Sequence, residues 1–124
     1  KLGADEAIDY KTQKFEDIVK GYDAVFDTVG GETYARSFKA LKNGGIIVSM
    51  LEQPNEELMR QYGVKAVAQF TQITRERLVR LAELVDQGAI KVTIDRTFPL
   101  ESAGQALAYL QKGGAKGKVA VNVK

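Results

Sequence analysis

The sequence predicts an α/β fold, a parallel β-sheet with helices on both faces. Two observations carry this. Short apolar stretches rich in β-branched residues alternate with segments whose apolar residues recur at helical spacing, and the stretches are nearly continuous in apolar character, as doubly covered strands are. Helical connections between such strands form right-handed βαβ units, which lay successive strands side by side in one direction. At 124 residues the chain is sized for one domain.

Taken in order, EAIDY (6–10) reads as a short strand, and FEDIVK (15–20) places Phe15, Ile18 and Val19 on one helical face. AVFDTV (24–29) is a buried strand that stops on Gly30 and Gly31. Beyond the glycines Tyr34, Phe38 and Leu41 recur at helical spacing, Lys39 and Lys42 fall in the last turn, and Gly44 is the expected stop. GIIVSML (45–51) is a second buried strand. Asn55 caps a short helix with acids in its first turn and Gly63 at its end, and VKAVAQF (64–70) is a third strand. Thr74 caps the clearest helix, whose stripe of Leu78, Leu81, Ala82 and Val85 runs to Gly88. KVTIDRTF (91–98) is a strand broken by Pro99. Ala103, Ala106, Leu107 and Leu110 mark a last helix, and KVAVNV (118–123) closes the chain as a strand.

Lys and Arg total 18 against 16 Asp and Glu, a net charge of +2, so charge names no partner and neither nucleic acid nor a membrane is expected. His and Cys are both absent. That removes disulfides, thiolate nucleophiles, Ser-His and Cys-His pairs and nearly every zinc arrangement. No apolar stretch approaches the roughly 20 residues of a membrane-spanning helix, and the start has no signal-peptide core. A soluble cytoplasmic protein is the expectation. The chain opens on Lys1 without Met, in what reads as the middle of a helix, which suggests a piece of a longer polypeptide.

In an open parallel sheet, ligands bind beyond the carboxyl ends of the strands. The candidate ends are Thr28 to Gly31, Ser49 to Leu51 and Gln69 to Thr71. Glycine at 30 and 31 lets a flat ring or a phosphate approach the backbone N–H groups, or simply serves a tight turn, which spacing alone favours. Asp27 lies in an otherwise buried strand. It is either a functional acid or, more in keeping with aspartate in turns, an acceptor for the N–H groups that follow. The acid pairs Asp5-Glu6, Glu16-Asp17 and Glu56-Glu57 point apart and are expected in solvent. GGAKGKV (113–119) fails as a phosphate loop: one residue too few precedes Gly117, and Val119 stands where Ser or Thr is required. No G-x-G-x-x-G occurs anywhere.

LGADEAIDY, YDAVFDTVGGETYARSFKALKNGG, GIIVSM and GAIKVTIDRTFPLESAGQALAYLQKGGAKGKVAV, nearly end to end and in order, resemble the C-terminal part of the medium-chain dehydrogenases/reductases. The likeness is to the zinc-free, quinone oxidoreductase-like branch of the zinc-type alcohol dehydrogenases. It implies strands three to six of a six-stranded Rossmann sheet of order 3-2-1-4-5-6, plus a return segment towards a separate catalytic domain. It further implies a nicotinamide dinucleotide, NADP or NAD, as cofactor. Tyr10 matches a position beside the adenosine ribose-phosphate. Val29, Gly30 and Gly31 match the loop over the dinucleotide's middle, Ser49, Met50 and Leu51 a strand end near the nicotinamide, and Gln69, Phe70 and Thr71 the segment that meets the carboxamide.

The reaction implied is hydride transfer from the reduced nicotinamide to a quinone, enone or related carbonyl compound. No catalytic residue and no metal ligand is expected in this chain, and Ser49 is expected as a hydrogen-bonding strand-end residue. A homodimer through the strand at 64–70 is implied as well. The alternatives are a non-enzymatic dimerisation module of the same fold and another α/β nucleotide binder, such as a methyltransferase core.

Overall fold

The structure, a computed structural model, describes residues 3–123. The expected helical start of the chain involves residues outside that range. Two compact units are resolved, one ending at Gln72 and the other starting at Ile73, where length alone suggested a single domain.

The first unit runs α1 (Phe15–Ile18), β1 (Tyr22–Asp27), α2 (Gly31–Ser37), a 3-10 turn (Phe38–Ala40), β2 (Leu41–Ser49), α3 (Glu56–Tyr62) and β3 (Lys65–Ala68). Its sheet has the order β1-β2-β3 with both pairings parallel. Val25 pairs with Ile47, Ile47 with Ala66 and Val48 with Val67, so the apolar stretches do lie side by side in one direction.

Tyr34, Phe38, Leu41, Ile47 and Val64 form the buried core, with Val25, Leu58, Met59, Tyr62 and Ala66 packed on it. Side chains alternate along a strand, so Val25, Ile47 and Ala66 share the covered face. The opposite face stays open: Phe26 is 64% exposed and Val67 43%, where cover on both faces was expected. The ends of α3 are local in origin. Asn55 Oδ1 accepts from the Leu58 N–H at 3.0 Å, and Gly63 closes the helix in the left-handed region at φ 63°.

Three local expectations are corrected. Residues 6–10 form no strand; Asp9 instead starts a turn, its backbone carbonyl accepting from the Gln13 N–H and its carboxylate from the Lys11 N–H. A strand needs a neighbour for its ladder, and without one the short Asp side chain offers the backbone a local partner. The helix after the glycines ends at Ala40 rather than Gly44, because Leu41 already pairs with Tyr22 and residues 42–45 bulge from β2 before Ile46 meets Ala24. In α1 the buried residue is Glu16, while Ile18 is 45% exposed.

The second unit runs α4 (Arg75–Asp86), β4 (Ile94–Pro99), a 3-10 turn (Leu100–Ser102), α5 (Ala103–Gln111) and β5 (Lys118–Asn122). β4 and β5 pair parallel in a sheet of their own. Thr74 Oγ1 accepts from the Arg77 N–H at the start of α4, as its sequence predicts, yet no residue of that helix is buried. On α5 the Tyr109 hydroxyl donates to Asp95 at 2.7 Å, and the Arg96 guanidinium lies 4.6 Å from the Tyr109 ring centroid. No helix among the described residues is long and apolar enough to cross a membrane.

Candidate functional site

β1, β2 and β3 end in step, since Asp27 pairs with Ser49 and Ser49 with Ala68. The ladder runs one residue further on each side: the Met50 N–H donates to the Asp27 carbonyl at 3.0 Å, and the Gln69 N–H to the Ser49 carbonyl at 2.8 Å. Parallel strands that stop together send their loops out along one edge. Val29, Gly30, Gly31, Ser49, Met50, Leu51, Gln69, Phe70 and Thr71 therefore all leave from the carboxyl edge of this sheet, as the sequence reading requires. Val29, Leu51 and Phe70 are exposed there at 66%, 58% and 56%.

A closed set of hydrogen bonds fixes the first two loops to each other. Asp27 Oδ1 accepts from the Val29 and Gly30 N–H groups, both at 3.0 Å, and Oδ2 accepts from the Ser49 hydroxyl at 2.6 Å. Ser49 Oγ in turn accepts from the Leu51 N–H at 3.1 Å and the Glu52 N–H at 3.0 Å. Glu52 Oε1 then returns across the gap and accepts from the Gly31 N–H at 2.7 Å.

Burial pushes the Asp27 carboxyl up, but the Ser49 hydroxyl and the Gly30 and Val29 amides outweigh it and hold the group below the usual aspartate value. Asp27 is thus the turn-fastening carboxylate, and Ser49, at 1% exposure, is the hydrogen-bonding strand end it was read to be. The glycines serve the turn. Gly30 sits at φ 75° and Gly31 at φ 56°, and a Cβ on Gly30 would meet Glu52 Oε1 at 2.9 Å.

Tyr10 lies off the strand ends, in the turn that follows Asp9, and is 78% exposed. It joins Val29 in lining a cleft of about 420 Å³ together with Gln13, Phe15, Thr33 and Arg36. Arg36 is held from behind: its Nη1 donates to Glu16 Oε1 at 3.2 Å, and its guanidinium carbon lies 5.4 Å from the Phe15 ring centroid. Glu16 is therefore buried and paired, not solvated as expected. The N–H of its own backbone, then the Arg36 guanidinium, hold its carboxyl low against the upward push of burial. Arg36 Nε is buried and has no hydrogen-bond partner among the described residues.

The sequence reading missed Gln13, Phe15, Thr33, Arg36 and Glu52. Thr33 and Arg36 stand three apart on the helix after the glycines and were findable as one face. Glu16 with Arg36 and Glu52 with Gly31 meet across 20 and 21 residues, and no local pattern marks them.

A parallel sheet whose carboxyl edge gathers loops beside a cleft lined by Tyr10, Phe15 and Arg36 is the frame of an α/β nucleotide-binding domain. The family described as zinc-binding dehydrogenase matches residues 2–121, and this chain belongs to it. It is 33% identical over 150 residues to the NAD(P)H oxidoreductase RTN4IP1, mitochondrial, of Mus musculus, a match that takes in 99% of this chain and 38% of that protein.

Among solved structures, the quinone oxidoreductase from Coxiella burnetii superposes with a TM-score of 0.83 at 30% identity, covering 98% of this chain and 40% of that one. The 2-octenoyl-CoA carboxylase reductase CinF from a Streptomyces species, in complex with NADP and 2-octenoyl-CoA, gives a TM-score of 0.63 at 25% identity, with coverages of 80% and 23%. The chain spans 29% to 40% of the length of curated relatives it matches.

The resemblance to the nucleotide-binding, C-terminal part of a medium-chain dehydrogenase/reductase is borne out, and a methyltransferase core is set aside. Zinc, which the family's description names, does not fit the residues present. The chain has no His and no Cys, and among the described residues no cluster of three or more carboxylates could replace them.

Proposed function

We propose that this chain is the dinucleotide-binding portion of an NAD(P)H-dependent oxidoreductase that reduces quinones, enones or related carbonyl compounds. The observation that carries the reading is the stepped carboxyl edge, where Asp27, Ser49 and Ala68 stand in register and three loops leave together. Names borne by relatives, NAD(P)H oxidoreductase and quinone oxidoreductase, support the reaction class.

When bound, the reduced nicotinamide supplies the hydride. The chain's own residues hold and orient. Val29 and Leu51 offer exposed apolar surface at the edge, Met50 and the Gln69 to Thr71 segment continue it, and the Asp27–Ser49 bond keeps the two loops at fixed spacing. The Tyr10 cleft suits the adenosine end: Tyr10 and Phe15 provide aromatic walls, Gln13 and Thr33 polar contacts, and Arg36, paired with Glu16, a cation. That cation favours NADP over NAD, because the additional phosphate of NADP needs a positive partner.

Titration of NADPH followed by its fluorescence tests this, with NADH as the competitor. Binding no tighter than millimolar would remove the proposal. Tyr10→Ala is expected to weaken NADPH about fivefold, the worth of roughly 1 kcal/mol of aromatic contact with a base. The same change should shift stability by less than about 0.5 kcal/mol, since the side chain is 78% exposed.

Pairing of two copies through the strand at 64–70 is part of the same proposal. β3 is the end row of its sheet, with one flank unpaired among the described residues. Light scattering at high protein concentration should report a dimer; a clean monomer would refute the pairing.

A further inference from the structure

Asn43 is one of three asparagines in the chain and the one followed by glycine. The residue after an asparagine decides how accessible the next backbone nitrogen is, and glycine, with no Cβ, shields it least. Asn55 and Asn122 precede Glu56 and Val123, and Asn55 Oδ1 is in addition held as the cap of α3. Asn43 and Gly44 are both exposed, in the stretch 42–45 that bulges from β2. Yet Gly63 engages both of them. The Gly44 N–H donates to the Gly63 carbonyl at 2.7 Å, and the Asn43 side chain lies over the Gly63 backbone, so that a Cβ there would fall 3.0 Å from Asn43 Cγ. Gly63 in turn is the left-handed stop of α3, its own N–H on the Met59 carbonyl.

We propose that Asn43–Gly44 is a latent modification site, a deamidation centre that the end of α3 holds shut. In the reaction the Gly44 nitrogen bonds to Asn43 Cγ, and the Cγ–Nδ2 bond breaks. Nδ2 leaves as ammonia, taking up the proton that Gly44 gives up. Water then opens the succinimide ring at either carbonyl, which leaves aspartate or its isomer linked through the side chain; nothing is oxidised or reduced. An N–H that donates to a carbonyl at 2.7 Å is held in its protonated form, and the Asn43 side chain has to leave its seat on Gly63 to bring Cγ onto Gly44. Deamidation therefore waits on fraying of the last turn of α3, the local opening that helix ends undergo. The site stands apart from the proposed function, since Asn43 is near the start of β2 and Ser49 at its end.

Incubating the chain in mildly alkaline buffer, with and without concentrated urea, and mapping peptides for aspartate and isoaspartate at residue 43 tests this. Conversion in urea should be at least about tenfold faster than in the native chain, because the native rate is scaled down by the small open fraction. Hydrogen exchange gives an independent value: protection of the Gly44 amide should match the ratio of the two rates within about threefold, since one opening governs both. Gly63→Ala puts a Cβ into the Asn43 seat at φ 63°, a backbone angle that alanine disfavours, and conversion in native buffer should then rise at least about fivefold. Should that variant fail to fold, the match between Gly44 protection and the rate ratio decides. Equal rates in buffer and urea, no conversion at residue 43 in urea, an unprotected Gly44 amide, or an unchanged rate in a folded Gly63→Ala chain overturns the inference.

Discussion

Asp27→Ala is expected to cost about 3–4 kcal/mol of stability. The substitution strips a 4%-exposed carboxylate from three donors and leaves the Ser49 hydroxyl and the Val29 and Gly30 amides without their acceptor. Asp27→Asn should cost less, about 1–2 kcal/mol. Its carbonyl oxygen still serves the two amides, but its NH₂ group then faces a Ser49 oxygen that already accepts from Leu51 and Glu52. Urea denaturation of the three proteins separates these cases, and equal midpoints would show that the network holds nothing together.

A pH dependence follows with a definite sign. Burial would raise the Asp27 value, and the three hydrogen bonds more than reverse it, so the folded chain favours the charged form. The resulting stabilisation is fully present above the unfolded aspartate value of about 3.9 and is lost as pH falls through the lower folded value. The unaltered chain should therefore lose stability on acidification below about pH 4, and Asp27→Asn should lack that component.

Phe38→Ala should be as damaging, at about 3–5 kcal/mol. Phe38 is fully buried at 0% exposure. Its ring meets Tyr34 edge-on at a centroid distance of 5.1 Å and Tyr62 at 6.1 Å, in a cluster with Leu41, Ile47 and Val64. Removing it opens a cavity bounded by α2, β2 and α3 together, so the elements that carry Gly31, Ser49 and Asn55 loosen at once. Phe38→Leu should cost about 1–2 kcal/mol, since most of the volume is kept. Hydrogen exchange at the Ile47 and Val64 amides reports the loss directly, and unchanged protection in Phe38→Ala would contradict the assignment of this core.

What could be read from the sequence is what short-range chemistry settles. Asn55 with Gly63, and Thr74, mark helix ends because a capping side chain or a left-handed glycine acts within one turn. The apolar stretches around Val25, Ile47 and Val67 gave a parallel sheet, and with it the edge on which the candidate residues sit. The turn role of Asp27 was legible for the same reason, its two amide partners lying two and three residues away.

What failed was decided at a distance. Residues 6–10 carry strand-like sequence but find no ladder partner. Leu41 continues the helical spacing of Tyr34 and Phe38, yet it is claimed by Tyr22 across the sheet. Glu16 looked solvated until Arg36 reached it, and the same arginine lines the cleft beside Tyr10. The sequence by itself determined which segments become helices or parallel strands and which loops share an edge, because periodicity and caps are local. Only the tertiary structure decided which charges meet there: the glycine turn is closed by Glu52, 21 residues away, and a contact of that range leaves no pattern along the chain.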